Sequence, residues 1–146
     1  MSVKKILFPP VPSSHLTSTL LLVTRIIFGL LFLSHGYAKL MSFESLADVY
    51  ADPLGLGSTL SLWLTVFAEV LCSFALIFGI LQRLVLIPMI ITMAVAFFIV
   101  HGNDVFAIKE LSFIYMIVFI LLYIAGPGHY SFDAIIRKLI LKNSES

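Results

Sequence analysis

TSTLLLVTRIIFGLLFLSHGYAKL, residues Thr17 to Leu40, is an apolar run interrupted by Arg25, His35 and Lys39. At about 100° per residue, Arg25, Phe28, Gly29, Phe32, His35, Gly36 and Lys39 share one side of a helix, and Leu, Ile and Val cover the rest. About 20 mainly apolar residues, rising roughly 1.5 Å each, cross the hydrocarbon core of a bilayer, so this helix is long enough to span. A charge at bilayer depth costs at least about 2.5 kcal/mol on insertion scales. Charges gathered on one stripe therefore need an interior to face, which the remaining helices must supply.

The whole chain agrees with that reading. Its 146 residues are 60% hydrophobic and only 12% charged, and a soluble domain of this size would leave large apolar patches uncovered. The net charge of +1 excludes the basic footprint of a nucleic-acid-binding protein; lipid, apolar molecules or membrane proteins are the expected partners. Cys72 is the single cysteine, so there is no intrachain disulfide, no CxxC and no Cys/His cluster to hold zinc or iron–sulfur. No metal site and no intrinsic cofactor are expected. The first run is too long for the core of a secretory signal, and Ser34-His35-Gly36 is a poor cleavage site, so it reads as a retained span.

Residues 1–16 form an N-terminal tail in which Lys4 and Lys5 precede Pro9, Pro10 and Pro12, an extended lead-in. Four spans follow, at about 17–40, 59–81, 84–100 and 106–125, making a bundle over residues 17–126. Between the first two, Glu44, Asp48 and Asp52 with Pro53, Gly55 and Gly57 mark a loop, in which Phe43, Leu46 and Tyr50 hint at a short surface helix over the bundle mouth. Trp63 lies near an interface, Gln82-Arg83 is a very short turn, and Pro88 lies near the start of the third span. Gly126-Pro127-Gly128 ends the fourth. Residues 127–146 are a tail in which Phe132, Ile135, Ile136, Leu139 and Ile140 repeat at helical spacing while Asp133, Arg137 and Lys138 face elsewhere. The fold class is all-α: an integral membrane four-helix bundle with an amphipathic C-terminal interfacial helix. Lys4, Lys5, Arg83, Arg137, Lys138 and Lys142 fall at one side and the opposite loops are net acidic, which predicts cytoplasmic termini in a bacterial inner membrane.

Depth along the spans then sorts the embedded charges. Arg25 lies about 12 Å and Glu69 about 18 Å from the cytoplasmic ends of their helices, close enough to predict a structural ion pair. His35, Lys39, His101, Lys109 and Glu110 all fall near the outer surface and are predicted to converge in a polar pocket. In it, His35, Glu110 and His101 are the candidate catalytic residues for proton exchange near neutral pH, and Lys39, Lys109 and Phe32 the candidate ligand-binding residues. Bis-histidine haem ligation fits less well, because Lys39 is adjacent and the position is shallow. Phe28, Phe97, Phe98, Phe113 and Tyr115 join Phe32 as aromatics able to line a slot for a ring, or simply to pack the core.

The sequence resembles the DoxX family of small bacterial membrane proteins. The residues that carry the likeness are Arg25 with Gly29, Phe32, His35-Gly36 and Lys39-Leu40; Glu69 followed by Gly79 and Arg83; and Gly126-Pro127-Gly128 with Tyr130-Ser131 and Asp133. They cover nearly the whole chain in the right order. The resemblance implies a four-helix membrane protein; the family takes its name from a subunit of a quinone-linked oxidoreductase, and other members associate with membrane redox or oxidative-stress assemblies that have soluble partners. Arg25, His35, Lys39 and Glu69 are the positions it carries over. The expected function is that of a quinone-linked or redox-complex membrane subunit with a pocket near the outer face. The expected ligand is a quinone; a membrane or soluble redox protein, or a second copy of the chain, is the expected partner. The alternatives are a non-catalytic anchor or assembly factor docking through the basic C-terminal helix and, with Pro88 the only hint of a broken helix, a small-molecule transporter.

Overall fold

The structure, a computed structural model, describes residues 14–142. The proline-containing lead-in with Lys4 and Lys5 and the last residues of the tail lie outside the described residues. Helix α1 runs over His15–Met41, the short α2 over Phe43–Leu46, α3 over Ser58–Phe78, α4 over Gln82–Val100, α5 over Phe106–Ala125 and α6 over Phe132–Lys142, with no strand among the described residues. The four long helices α1, α3, α4 and α5 are each long and apolar enough to cross a membrane.

The predicted stripe of α1 is the side that packs. Ser18, Arg25, Gly29, Phe32 and Gly36 are buried, while Leu16, Leu20, Ile27 and Leu30 are exposed on the outside of the bundle. Helix α1 packs mainly on α3, and α4 mainly on α5. Phe32, Leu76, Leu86, Met89, Tyr115 and Phe119 form the shared core, with Cys72 buried among them. Helices α3 and α4 meet near the turn between them, but their far halves separate: Ser58–Val66 packs on α1 and Ala96–Val100 on α5.

Both of those separated halves involve a change of helical pitch. Phe67–Leu71 in α3 and Ala96–Val100 in α4 are π-helical, with the Cys72 N–H donating to Phe67 O and the His101 N–H to Ala96 O, five residues back. Such single wide turns inside α-helices occur often at functional sites. Here the first contains Glu69 and the second ends at His101.

Helix α3 stops at Phe78, three residues before the end predicted for it, because Gly79 takes a left-handed conformation (φ 66°) and the chain turns back at once. Gln82 is accordingly the first residue of α4 and is fully buried, rather than part of an exposed turn.

Candidate functional site

Two polar sites lie at opposite ends of the bundle. The first, at the end where α1 and α4 finish and α3 and α5 begin, is a cavity of about 430 Å³. Phe32, His35 and Lys39 of α1 line it, with Ser61, Thr65 and Glu69 of α3 opposite. Helix α4 contributes Thr92, Met93 and Ala96, α5 contributes Ser112 and Tyr115, and His101 lies at the rim. The loop before α3 supplies Tyr50, Pro53, Leu54 and Leu56. That loop is drawn in by Asp52, whose carboxylate accepts from the amides of Leu56 (2.9 Å) and Gly57 (2.8 Å) and from the Ser61 hydroxyl (2.9 Å). The Gly57 amide, with Ser61 and the other loop amides, holds the Asp52 carboxyl below the ordinary carboxylate range.

Within the cavity the strongest polar contact is Lys39 Nζ donating to Glu69 Oε2 at 2.6 Å. Glu69 is 4% exposed and Lys39 25%, so the carboxylate is the buried member and the ammonium the accessible one. His35, exposed, sets its ring edge-on to Tyr115 at 6.0 Å between centroids. Gly36 explains how α1 comes so near: a Cβ there would lie 2.6 Å from Glu69 Cβ and 2.9 Å from its backbone carbon.

The second site is a knot at the other end. Arg25, with no exposed surface, donates to Tyr130 O at 2.5 Å and to Gln82 Oε1 at 3.4 Å. Gln82 Nε2 in turn donates to Leu122 O and Gly126 O, both at 3.1 Å, filling the carbonyl end of α5. The Asp133 carboxylate accepts from the amides of Leu81 (2.8 Å) and Gln82 (2.9 Å), so it caps the start of α4 from another helix. The Asp133 amide returns a bond to Gly79 O at 3.0 Å, and His129 N–H donates to the Ser18 hydroxyl at 3.1 Å.

The expected Arg25–Glu69 pair is therefore not formed; Glu69 pairs with Lys39, and Arg25 belongs to the knot. Helical side chains lean toward the N-terminus of their helix. Arg25 thus reaches back to the start of α1, and Lys39 reaches back one turn to the level of Gly36 and Glu69. Estimating depth from Cα rise alone leaves that lean out.

The predicted convergence is met in part. Phe32, His35, Lys39 and His101 line the cavity, whereas Lys109 and Glu110 do not. Helix α5 turns Ser112 and Tyr115 inward, and Glu110, about 200° round from Ser112, is exposed. Lys109 folds over the Phe97 ring (5.2 Å) and donates to Gly102 O at 2.9 Å, closing the turn between α4 and α5. His101 Nδ1 is 2.8 Å from Asp104 Oδ2 within that turn. Of the aromatics, Phe32 and Tyr115 line the cavity, while Phe97 packs against Phe98 and Phe113. Asp133, expected off the apolar repeat of its helix, is buried at 1% exposure. Among the described residues no group of three or more metal-ligating side chains forms.

Residues 20–102 match the DoxX family model, more than half of the 146-residue chain. The chain belongs to the DoxX family. No curated protein and no solved structure matches it. The match covers the cavity's α1, α3 and α4 walls and, in the knot, Arg25 and Gln82. In this DoxX protein the positions carried by the resemblance are thus divided between two sites: His35, Lys39 and Glu69 at the cavity, Arg25 at the knot. Thr92, Ser61, Thr65 and Ser112 join the site without having been singled out, since small hydroxyl residues in an apolar run carry no signal of their own. Tyr115 was visible only as an aromatic among others.

Proposed function

We propose that this DoxX protein is a membrane subunit of a redox complex whose cavity binds a quinone. The observation that carries this reading is the buried Glu69 carboxylate bonded to the accessible Lys39 ammonium at the floor of an apolar cavity, with His35 beside it. A quinone has the complementary chemistry: a flat apolar ring that packs on Phe32 and Tyr115, and carbonyl oxygens that accept from Lys39 and His35. Its conversion to quinol takes up two electrons and two protons. His35 and the Lys39–Glu69 pair are placed to exchange the protons, a role that moves from Glu110 to Glu69 with the geometry; a partner redox protein supplies or accepts the electrons.

Orientation follows from charge. The cavity end carries Glu44, Asp48, Asp52 and Asp104, and the knot end carries Arg83, Arg137 and Lys138, which supports a reading with the cavity outside and the termini in the cytoplasm of a bacterial inner membrane. Helix α6 favours a second reading, a non-catalytic anchor: Phe132, Ile135 and Leu139 are exposed on it beside Lys138, a face suited to a cytoplasmic partner or to lipid.

Gentle extraction from the native membrane followed by native mass spectrometry and absorption spectroscopy tests these readings. A co-purified quinone that is lost in Glu69→Gln and His35→Ala supports the first. Lipid alone, together with a protein partner lost on deleting residues 132–146, supports the anchor and removes the quinone.

A further inference from the structure

We infer that the cavity is entered sideways, from the bilayer, through a portal between α3 and α4, so that its ligand is an amphiphile whose apolar tail stays in lipid while its head meets Lys39 and Glu69. This rests on the reading of the cavity as a ligand site and adds the class of ligand and its route. Leu64 of α3 and Ile91 of α4 both line the cavity and are both about half exposed, at 48% and 55%. Side chains that line a cavity and stay this exposed do not seal the wall to which they belong. Leu64 lies six residues into α3, about 9 Å along it, and Ile91 nine residues before the end of α4, about 13 Å along. Both positions lie below the loop that covers the cavity's end, at the depth of hydrocarbon rather than of headgroups.

The helix packing gives the same result independently. Beyond the π-helical turn of α3, Ser58–Val66 packs on α1 while the end of α4 packs on α5, so the two helices flanking the gap are held by different partners. The aqueous side carries a cover. Tyr50, Pro53, Leu54 and Leu56 lie over it, and Asp52 fastens that loop to the start of α3 through three hydrogen bonds. Between α3 and α4 the edge is aliphatic, Leu64 and Ile91, and Glu69 lies deeper along α3, the order in which an amphiphile enters head first from lipid. A water-soluble ligand meets the reverse order.

The test uses the full-length protein in lipid nanodiscs and two probes, a benzoquinone with a decyl tail and the same ring without it, measured by equilibrium binding. Wild type is expected to bind the tailed ring more tightly. In Leu64→Trp/Ile91→Trp the tailed ring is expected to bind about tenfold more weakly, the loss of roughly two buried methylenes, while the tailless ring, which meets only the inner edge of these side chains, weakens by no more than about threefold. Leu30→Trp, on an exposed α1 position away from the cavity, is expected to change neither. Equal affinity of wild type for both rings, or an equal loss of both in the double variant, overturns the portal and leaves the quinone site standing. A wild type that binds neither ring overturns the site itself, and the portal with it.

Discussion

The two ends of the bundle use similar residues to opposite effect. At the knot, Arg25, Gln82 and Asp133 are all within 1% of complete burial, and apart from the Arg25–Gln82 contact their bonds go to backbone groups at and between helix ends: Tyr130 O, Leu122 O, Gly126 O and the amides of Leu81 and Gln82. At the cavity, Lys39 and Glu69 bond to each other, His35 is exposed, and Thr92 and Ser112 line the space with Ser61, which donates to Asp52, and Thr65, which donates to Ser61 O. A buried polar group that satisfies backbone is structural, because its removal exposes the full desolvation penalty of its partners. Polar groups held around a space by one another and by helix packing are free to satisfy something else. The difference assigns stability to one end and ligand chemistry to the other.

The sharpest way to break that assignment is Arg25→Met. The replacement is apolar and of similar length, yet it leaves Tyr130 O without its charged donor and Gln82 Oε1 without its partner. The expected cost is on the order of 3 kcal/mol, read as a fall in the thermal midpoint of the detergent-solubilised protein together with faster amide exchange in α6. Gly79→Ala should act through the same group, since a Cβ at that left-handed position would lie 1.9 Å from Arg25 Nη1. An Arg25→Met protein of wild-type stability that had lost its ligand would reverse the roles of the two ends.

At the cavity the order of effects is inverted. Gly36→Ala drives a methyl group against the backbone of Glu69 as well as its side chain, and backbone cannot swing aside. Separation of α1 from the π-helical turn is expected, costing about 1–3 kcal/mol and displacing Glu69 from Lys39. Glu69→Gln, which keeps the shape, should shift stability by less than about 1 kcal/mol because Lys39 is a quarter exposed and can turn to water, while quinone binding is lost. Binding measured beside thermal stability for the pair distinguishes a displaced carboxylate from a missing one. Quinone binding unchanged in Glu69→Gln would take the carboxylate out of the site.

How much of this is legible in the chain depends on the range of the interaction. Spans are legible because bilayer thickness sets a length that an apolar run either reaches or does not, and the Gly126-Pro127-Gly128 stop is legible because it acts on its own backbone. The facing of α1 follows from helical period alone, and His35, Lys39 and Phe32 reach the cavity as that period requires. What period and rise cannot supply is which way a long side chain leans, and this is why Glu69 was paired with Arg25 instead of Lys39. Nor can they reveal the π-helical turns, which shift everything beyond them by a fraction of a turn relative to an ideal helix. The helical repeat sets Asp133 off the apolar face of α6 and says nothing of its role, because the groups it serves, the amides of Leu81 and Gln82, lie some fifty residues away.

The smallest effect separates the cavity's floor from its cover. Asp52 joins the loop to α3 from outside the spans, and its carboxyl is held below the ordinary carboxylate range by the Gly57 amide and its neighbours. A lowered pKa in the folded state means that the ionised form is the one the fold prefers. The stability it contributes is therefore present at and above the ordinary carboxylate pKa, and is lost as pH falls through the depressed value. Amide exchange of residues 50–57, corrected for intrinsic rates, should stay flat from neutral pH down into mild acid and rise only below the ordinary carboxylate range. Asp52→Asn should show at neutral pH the opening that wild type shows in strong acid, with the knot and α6 unchanged. Because the cover closes the aqueous side and not the gap between α3 and α4, the same variant should leave the binding of a tailed quinone nearly intact. A large loss of that binding in Asp52→Asn would make closure of the loop a condition of binding, and the cavity one that opens to water.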